Sequence, residues 1–476
     1  MKNVFSFLFL VCLFSSTLTA QDSLRLKKRI AEDIAPKNIC HSGDGLFAVQ
    51  NSNDPHNVSF FNRNYEKLGM VYDDVDLSKF DPSRESMMTW GSPTAGAFTN
   101  AGKYYWLSNF AMEGGSFTNA PCENCSGKNY DRSFVYKINT WNFKVEKVIE
   151  VGSAAKNIAS SDALKLVVVS NWTSGNIHII SSKTNKVIKA IELGKFPSGI
   201  AIDESRKKIY VALMGEKRIA SIDLRNYQIS YIENVGSALN QLCIDEKNNV
   251  LFVSLNAEGK IAKINLKNYD IKYLKCGREP QNMALSSDAK FLFVVNNGDN
   301  TLVKIKTDSL LLKQRVRTSK KPNGVCIDEK KGEVWVACGG GEINVFGDKN
   351  ILKLSPYDSY VASLVNKNSK KKEEVVYLPE IKEEPVEKKT TNVSVSKKGD
   401  NNSGDAWIAV AGSFKEKKNA ETFRDEIRAK GYISEVLERD NGLYLVTFGS
   451  SINKREIEEL AEEVKKDGMQ VYITKR

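Results

Sequence analysis

Between Gly152 and Gly277 the chain repeats itself about every 42 residues, and that period constrains the fold more than any other feature. Gly194 opens Gly-Lys-Phe-Pro-Ser-Gly-Ile-Ala-Ile-Asp and leads to the apolar run Ile209–Leu213. Gly236 leads to Leu242-Cys-Ile-Asp and then to Leu251–Leu255, and Gly277 leads to Met283-Ala-Leu-Ser and then to Phe291–Asn296. Within one unit, short β-branched runs alternate with Gly, Asn and Asp turns, which is strand-and-hairpin chemistry without helical spacing. Units of this length match four-stranded propeller blades. One such sheet cannot bury both its faces, whereas radial packing covers them and protects the edges. Seven units are counted, beginning near Pro36, Phe98, Ser153, Lys195, Ser237, Arg278 and Ser319. The period and the lack of capping repeats favour a closed ring over a two-sheet sandwich or a solenoid. The expected fold is an all-β seven-bladed propeller over residues 21–356. Ile351-Leu-Lys-Leu is expected as a last strand, completing a blade begun at the other end of the chain.

The registers Val167-Val-Val-Ser-Asn, Tyr210-Val-Ala-Leu, Phe252-Val-Ser-Leu-Asn and Phe293-Val-Val-Asn-Asn resemble the YVTN family of seven-bladed propellers. The resemblance covers about two thirds of the chain and speaks to fold, not to activity. Asn38, Asn157, Asn240, Asn282 and Asn323 recur just before the first strand of their units, where a propeller gathers residues at one mouth of its central channel. Two readings stand: turn chemistry through the Asn side chain, or a ring of amides around a polar ligand. Related propellers host lactonases and quinone-dependent dehydrogenases, so an enzyme with its site in the channel is the alternative. Such sites hold a metal or cofactor on acidic and His side chains. The three histidines, His41, His56 and His178, lie in unlike contexts, and no catalytic residue, metal site or cofactor is assigned.

Residues 1–20 read as a secretory signal peptide: Lys2, then the apolar Val4–Leu13, then small residues up to Ala20. That run is too short to span a bilayer, and no later stretch is a transmembrane candidate. The net charge of +11 is spread over turns, without interleaved aromatics, which argues against nucleic acid as a partner. Cys122 and Cys125 form the one local pair among eight cysteines. Ser126 follows where a c-type haem site needs His, and no second pair offers zinc ligands, which leaves a loop disulfide or two free thiols. The pair lies in an insertion over about 112–132, long enough to be a contact loop on a rigid scaffold. Asp73 to Ser92 is expected as a solvated acidic connector. Cys243, Cys326 and Cys338 fall in strand patterns and are expected in the core.

Residues 357–405 are charged, poor in apolar side chains and expected to be a disordered linker. Residues 406–476 then read as a small α+β domain of order βαββαβ, ferredoxin-like, with both helices on one face of an antiparallel sheet. The segments Trp407-Ile-Ala-Val-Ala-Gly-Ser-Phe, Asn419-Ala-Glu, Lys430-Gly-Tyr and Asn441-Gly-Leu-Tyr-Leu-Val-Thr-Phe-Gly-Ser resemble a SPOR domain. That resemblance implies a bacterial envelope module that binds peptidoglycan glycan strands lacking stem peptides. Strand parity puts Trp407, Ala409 and Ala411 towards the helices. It puts Ile408, Val410, Leu443, Leu445, Thr447 and Tyr472 on the open face, and these with Ser413 are the candidate glycan site. Where the family often carries Gln and Arg, this chain has Val410 and Leu445, so a protein interface competes with glycan for that face. The expectation is an exported protein of the periplasm or cell envelope, without catalysis. Its terminal domain would bind glycan strands while the propeller displays contacts for an unidentified envelope protein.

Overall fold

The computed structural model describes residues 24–353, except 53–55 and 128, and residues 407–475, except 430–433, 440–441, 452–456, 459–460, 463 and 466–470. The expected signal peptide and linker lie outside the described residues, as does much of the expected second helix of the terminal domain.

Residues 25–347 form seven sheets. The fourth blade shows the plan: antiparallel strands Pro197–Asp203, Lys208–Leu213, Arg218–Asp223 and Ile229–Ile232 run from the axis outwards. Its second strand is buried from Ile209 to Leu213, because neighbouring blades cover both faces. Outermost strands alternate instead, as in Leu311–Arg317, where one face meets water. The first strands of successive blades touch all the way round, the seventh against the first included, so the ring is closed. The anchor glycines have a backbone reason. Gly236 and Gly277 sit at φ 141° and 147°, and a Cβ there would meet Leu255 and Asn296 at 2.6 Å.

Two expectations need correction at the seams. Blade 7 (Pro322–Asp328, Glu333–Cys338, Glu342–Gly347) is completed by the N-terminal strand Arg25–Ile30; of the expected last strand, Ile351 ends a 3₁₀ turn, Lys349–Ile351, and Leu354 lies outside the described residues. The stretch from Asp73 is solvated only in part: Asp74 and residues 81–83 and 85–88 are exposed, but Asp73 is buried and stands 3.3 Å from His56 Nδ1, and Val75–Asp76 pairs with the start of the next blade. His56 faces this carboxyl but does not offset its burial, which pushes it up to about 7. Ion pairs lock the seams. Arg63 bonds Asp328 between blades 1 and 7, Lys304 of blade 6 bonds Asp348, and Glu333 takes both Lys27 Nζ (3.1 Å) and the Tyr65 hydroxyl (2.7 Å). Cys276, Cys326 and Cys338 are buried and free, while Cys40 and Cys243 are free and half-buried, packed between inner strands.

In the terminal domain, strands Glu435–Glu438, Tyr444–Ser451, Trp407–Phe414 and Tyr472–Lys475 lie side by side in that order, all antiparallel. The helix Lys417–Ala429 and helical residues around Ile457 to Lys465 pack on one face. Ala409, Ala420, Ile427, Val446 and Val464 form the core there, with Trp407 and Ala411 beside it, as strand parity requires.

Candidate functional site

The five asparagines converge on one cavity of about 380 Å³ at the channel mouth. They do not precede the inner strands. They lie within them, at β-bulges such as the shift between Pro36 and Asn38 or between Leu239 and Leu242. Their side chains bond both the local backbone and one another. Oδ1 of Asn38, Asn157 and Asn282 accepts the next residue's backbone N–H at 2.7–2.9 Å, which steadies the bulge. Their other ends work across the channel: Asn157 Nδ2 donates to Gln241 Oε1 (2.8 Å) and Asn282 Nδ2 to Asn38 Oδ1 (3.0 Å). Asn240 Nδ2 donates to Gln281 Oε1 at 2.9 Å, and Asn323 Oδ1 accepts from Asn297 at 2.7 Å. Gly199 and Gly324 make room for this layer, since a Cβ there would meet Asn240 O at 2.4 Å and Asn38 Oδ1 at 2.6 Å. Asn38, Asn157, Gln241 and Asn282 also line a second cavity of about 480 Å³ further along the channel, so the amide layer is a septum between the two. Gln241 and Gln281 were not singled out from sequence. They occupy the positions that Asn fills in other blades: Gln241 stands second after Leu239, as Asn157 does after Ala155, and Gln281 first after Pro280, as Asn323 does after Pro322.

The insertion after Tyr104–Glu113 reaches the same mouth. Cys122 and Cys125 are disulfide-bonded, and the turn between them brings Glu123 and Asn124 to the cavity. Glu123 holds Lys156 Nζ with both oxygens, at 2.7 and 2.8 Å. The turn is pinned from its backbone: Trp172 Nε1 donates to Glu123 O at 2.8 Å, and Gly127 N to Thr173 O at 2.9 Å. Lys156 lies over the Trp172 ring, 4.7 Å from its centre. Burial pushes the Lys156 amine down, Glu123 draws it up, and Lys37 pushes it down further. Among the described residues no group of three or more His, Cys, Asp or Glu is arranged to hold a metal ion.

In the terminal sheet, pairing of Val410 with Thr447 and Tyr472, and of Leu445 with Ser413 and Leu437, assigns these residues to the face away from the helices. Ile408, Val410 and Leu445 form their own apolar cluster with Leu437. The centre of this face is not open: Ile408, Val410 and Thr447 are fully buried and Leu445 nearly so. Arg439, at the end of one edge strand, donates Nη2 to Lys475 O on the opposite edge strand at 2.7 Å, bridging the face. Tyr472 at 49% and Ser413 remain exposed, and Leu443 is half-buried. The Thr447 hydroxyl is buried without a hydrogen-bond partner.

Residues 403–475 match the SPOR domain. The match covers the whole small sheet and its helices, and SPOR domains are peptidoglycan-binding modules found in cell-envelope proteins. No curated protein matches the chain. Over the first part, solved structures are similar in fold. The WD40 β-propeller domain of Doa1 aligns at 11% identity and TM-score 0.52, covering 69% of this chain and 99% of that one. Hydrazine synthase of Kuenenia stuttgartiensis aligns at 16% identity and TM-score 0.53, covering 67% and 97%. At such identities the likeness extends to fold alone. Within the SPOR domain, Arg439 is the residue that sequence reasoning missed. It follows a short edge strand, and nothing local shows that its guanidinium crosses the sheet. No helix among the described residues is long and apolar enough to cross a membrane.

Proposed function

We propose that this is an exported cell-envelope protein that binds peptidoglycan glycan strands through its SPOR domain, with the propeller as a scaffold for an envelope partner. The observation that carries the reading is the SPOR match together with a sheet face whose accessible rim is Tyr472, Arg439 and Ser413. A sugar ring packs its apolar face on an aromatic side chain and offers hydroxyls to a guanidinium and a serine. Arg439 thereby brings a polar group to a sheet whose centre, at Val410 and Leu445, has none to give. Ile408, Val410, Leu443, Leu445 and Thr447 then support the platform from beneath, and Leu443 adds apolar surface at its edge.

The test is retention of the full chain on sacculi stripped of stem peptides, for wild type, Tyr472→Ala and Arg439→Ala. Loss of a charge-assisted hydrogen bond of about 1.5–3 kcal/mol makes Arg439→Ala bind at least about tenfold more weakly. Wild-type retention in both variants, with folding intact, would place the contact elsewhere.

A further inference from the structure

Glu123 stands where a carboxylate from outside would fit. Lys156 is 19% exposed and its only ion-pair partner among the described residues, Glu123, is 61% exposed. An ammonium largely withdrawn from water is thus neutralised by a carboxylate that remains mostly in water. Such a pair exchanges readily, because the exposed partner regains its hydration when it leaves. The loop need not move for this exchange. Its backbone is fixed by the Trp172 and Gly127 hydrogen bonds, by Ser153 Oγ donating to Tyr130 O (2.9 Å), and by the disulfide, so only the Glu123 side chain swings out.

The rest of the cavity defines the incoming group. Among the described residues, Lys37 and Lys156 are its cations and Glu123 its only carboxylate, so departure of Glu123 leaves two ammonium groups unbalanced. No arginine among the described residues lines it to offer the paired fork that phosphate favours. The floor is a layer of neutral amides, which suits hydroxyl groups. A cavity of about 380 Å³ falls within the range of small-ligand sites.

We propose that the channel mouth beneath the Cys122–Cys125 turn binds a small carboxylated sugar, whose carboxylate displaces Glu123 from Lys156 while its hydroxyls bond the amide layer. The site is separate from the glycan surface assigned to the SPOR domain and stands without it.

Isothermal titration calorimetry of the full chain tests this with glucuronate, galacturonate and N-acetylmuramate, each against its neutral counterpart glucose, galactose or N-acetylglucosamine. At least one acid binds, and its neutral counterpart binds at least about tenfold more weakly. Glu123→Gln removes the internal competitor and tightens that acid several-fold, an effect that a merely structural clasp does not produce. Lys156→Gln abolishes binding, with its thermal unfolding recorded as the check on folding. Three outcomes overturn the proposal: no acid binding wild type or Glu123→Gln at millimolar concentration, acid and neutral sugars binding alike, or Glu123→Gln weakening the acid.

Discussion

Replacing Arg63 by Met attacks the seam that closes the ring. Arg63 and Asp328 are 3% and 1% exposed, and Nε donates to Oδ2 at 2.6 Å. Asp328 ends the inner strand of blade 7, so the pair fastens the last blade to the first. Its other carboxylate oxygen accepts the Lys330 N–H at 3.1 Å, which cannot compensate a buried negative charge. Stranding one partner of a buried pair costs about 3–5 kcal/mol. With about 2.1 cal/mol/K per residue over about 320 propeller residues, the unfolding entropy is about 0.7 kcal/mol/K, which converts that cost to a fall in Tm of about 4–7 °C. Asp328→Asn in the Arg63→Met background removes the stranded charge and restores at least half of the loss. His41 gives a second readout. Burial pushes it down to about 4, Asp328 pulls it up and Arg63 pushes it down. In Arg63→Met the imidazole pKa therefore rises above about 4, and in the double variant it falls back. Calorimetry gives Tm, and NMR of the imidazole protons gives the pKa. A Tm unchanged within about 1 °C together with an unmoved His41 would refute the account of the seam.

Three further expectations concern stability. Removing Leu24 to Ile30 strips the outer strand from blade 7 and exposes the edge at Glu342–Gly347, so cooperative unfolding is lost and aggregation rises; an unchanged calorimetric transition contradicts the closure. His41 and His178 are pushed down by burial to about 4 from 6.5, so their contribution is complete above about 6.5 and is lost as pH falls from there towards 4. Asp73, pushed up by burial to about 7, opposes this with one proton, leaving a net slope of about 1.4 kcal/mol per pH unit; a flat stability profile between those values contradicts it. Changing both Cys122 and Cys125 to Ser removes closure of a four-residue loop, about 2 kcal/mol at most, so Tm shifts by no more than about 3 °C while proteolysis within 114–127 accelerates.

The repeat was legible because each blade is built from local signals: an apolar second strand, a polar turn and a glycine where φ is positive. The order of strands and helices in the terminal domain was legible for the same reason, through strand patterns and turn residues, and its SPOR character through its resemblance to that family. The closing strand was not. Arg25-Leu-Lys-Lys-Arg-Ile is basic and mostly exposed, and only its pairing with Glu342–Gly347 makes it a strand. The amide layer was half visible, since recurring Asn residues mark it, while Gln241 and Gln281 fill equivalent positions with a different residue type. The place of Glu123 at the mouth, and of Arg439 across the SPOR sheet, depends on tertiary contacts that no local pattern carries. Burial of Ile408 and Val410 escaped parity arguments too, because parity assigns a face and says nothing about what lies over it.

The most direct test of the account compares the full chain with a chain ending at residue 353 in co-sedimentation with sacculi, before and after an amidase removes the stem peptides. The full chain should sediment, and more strongly after amidase treatment, while the shortened chain stays in solution. Equal sedimentation of the two chains, or indifference of the full chain to the stem peptides, would contradict glycan binding by the SPOR domain.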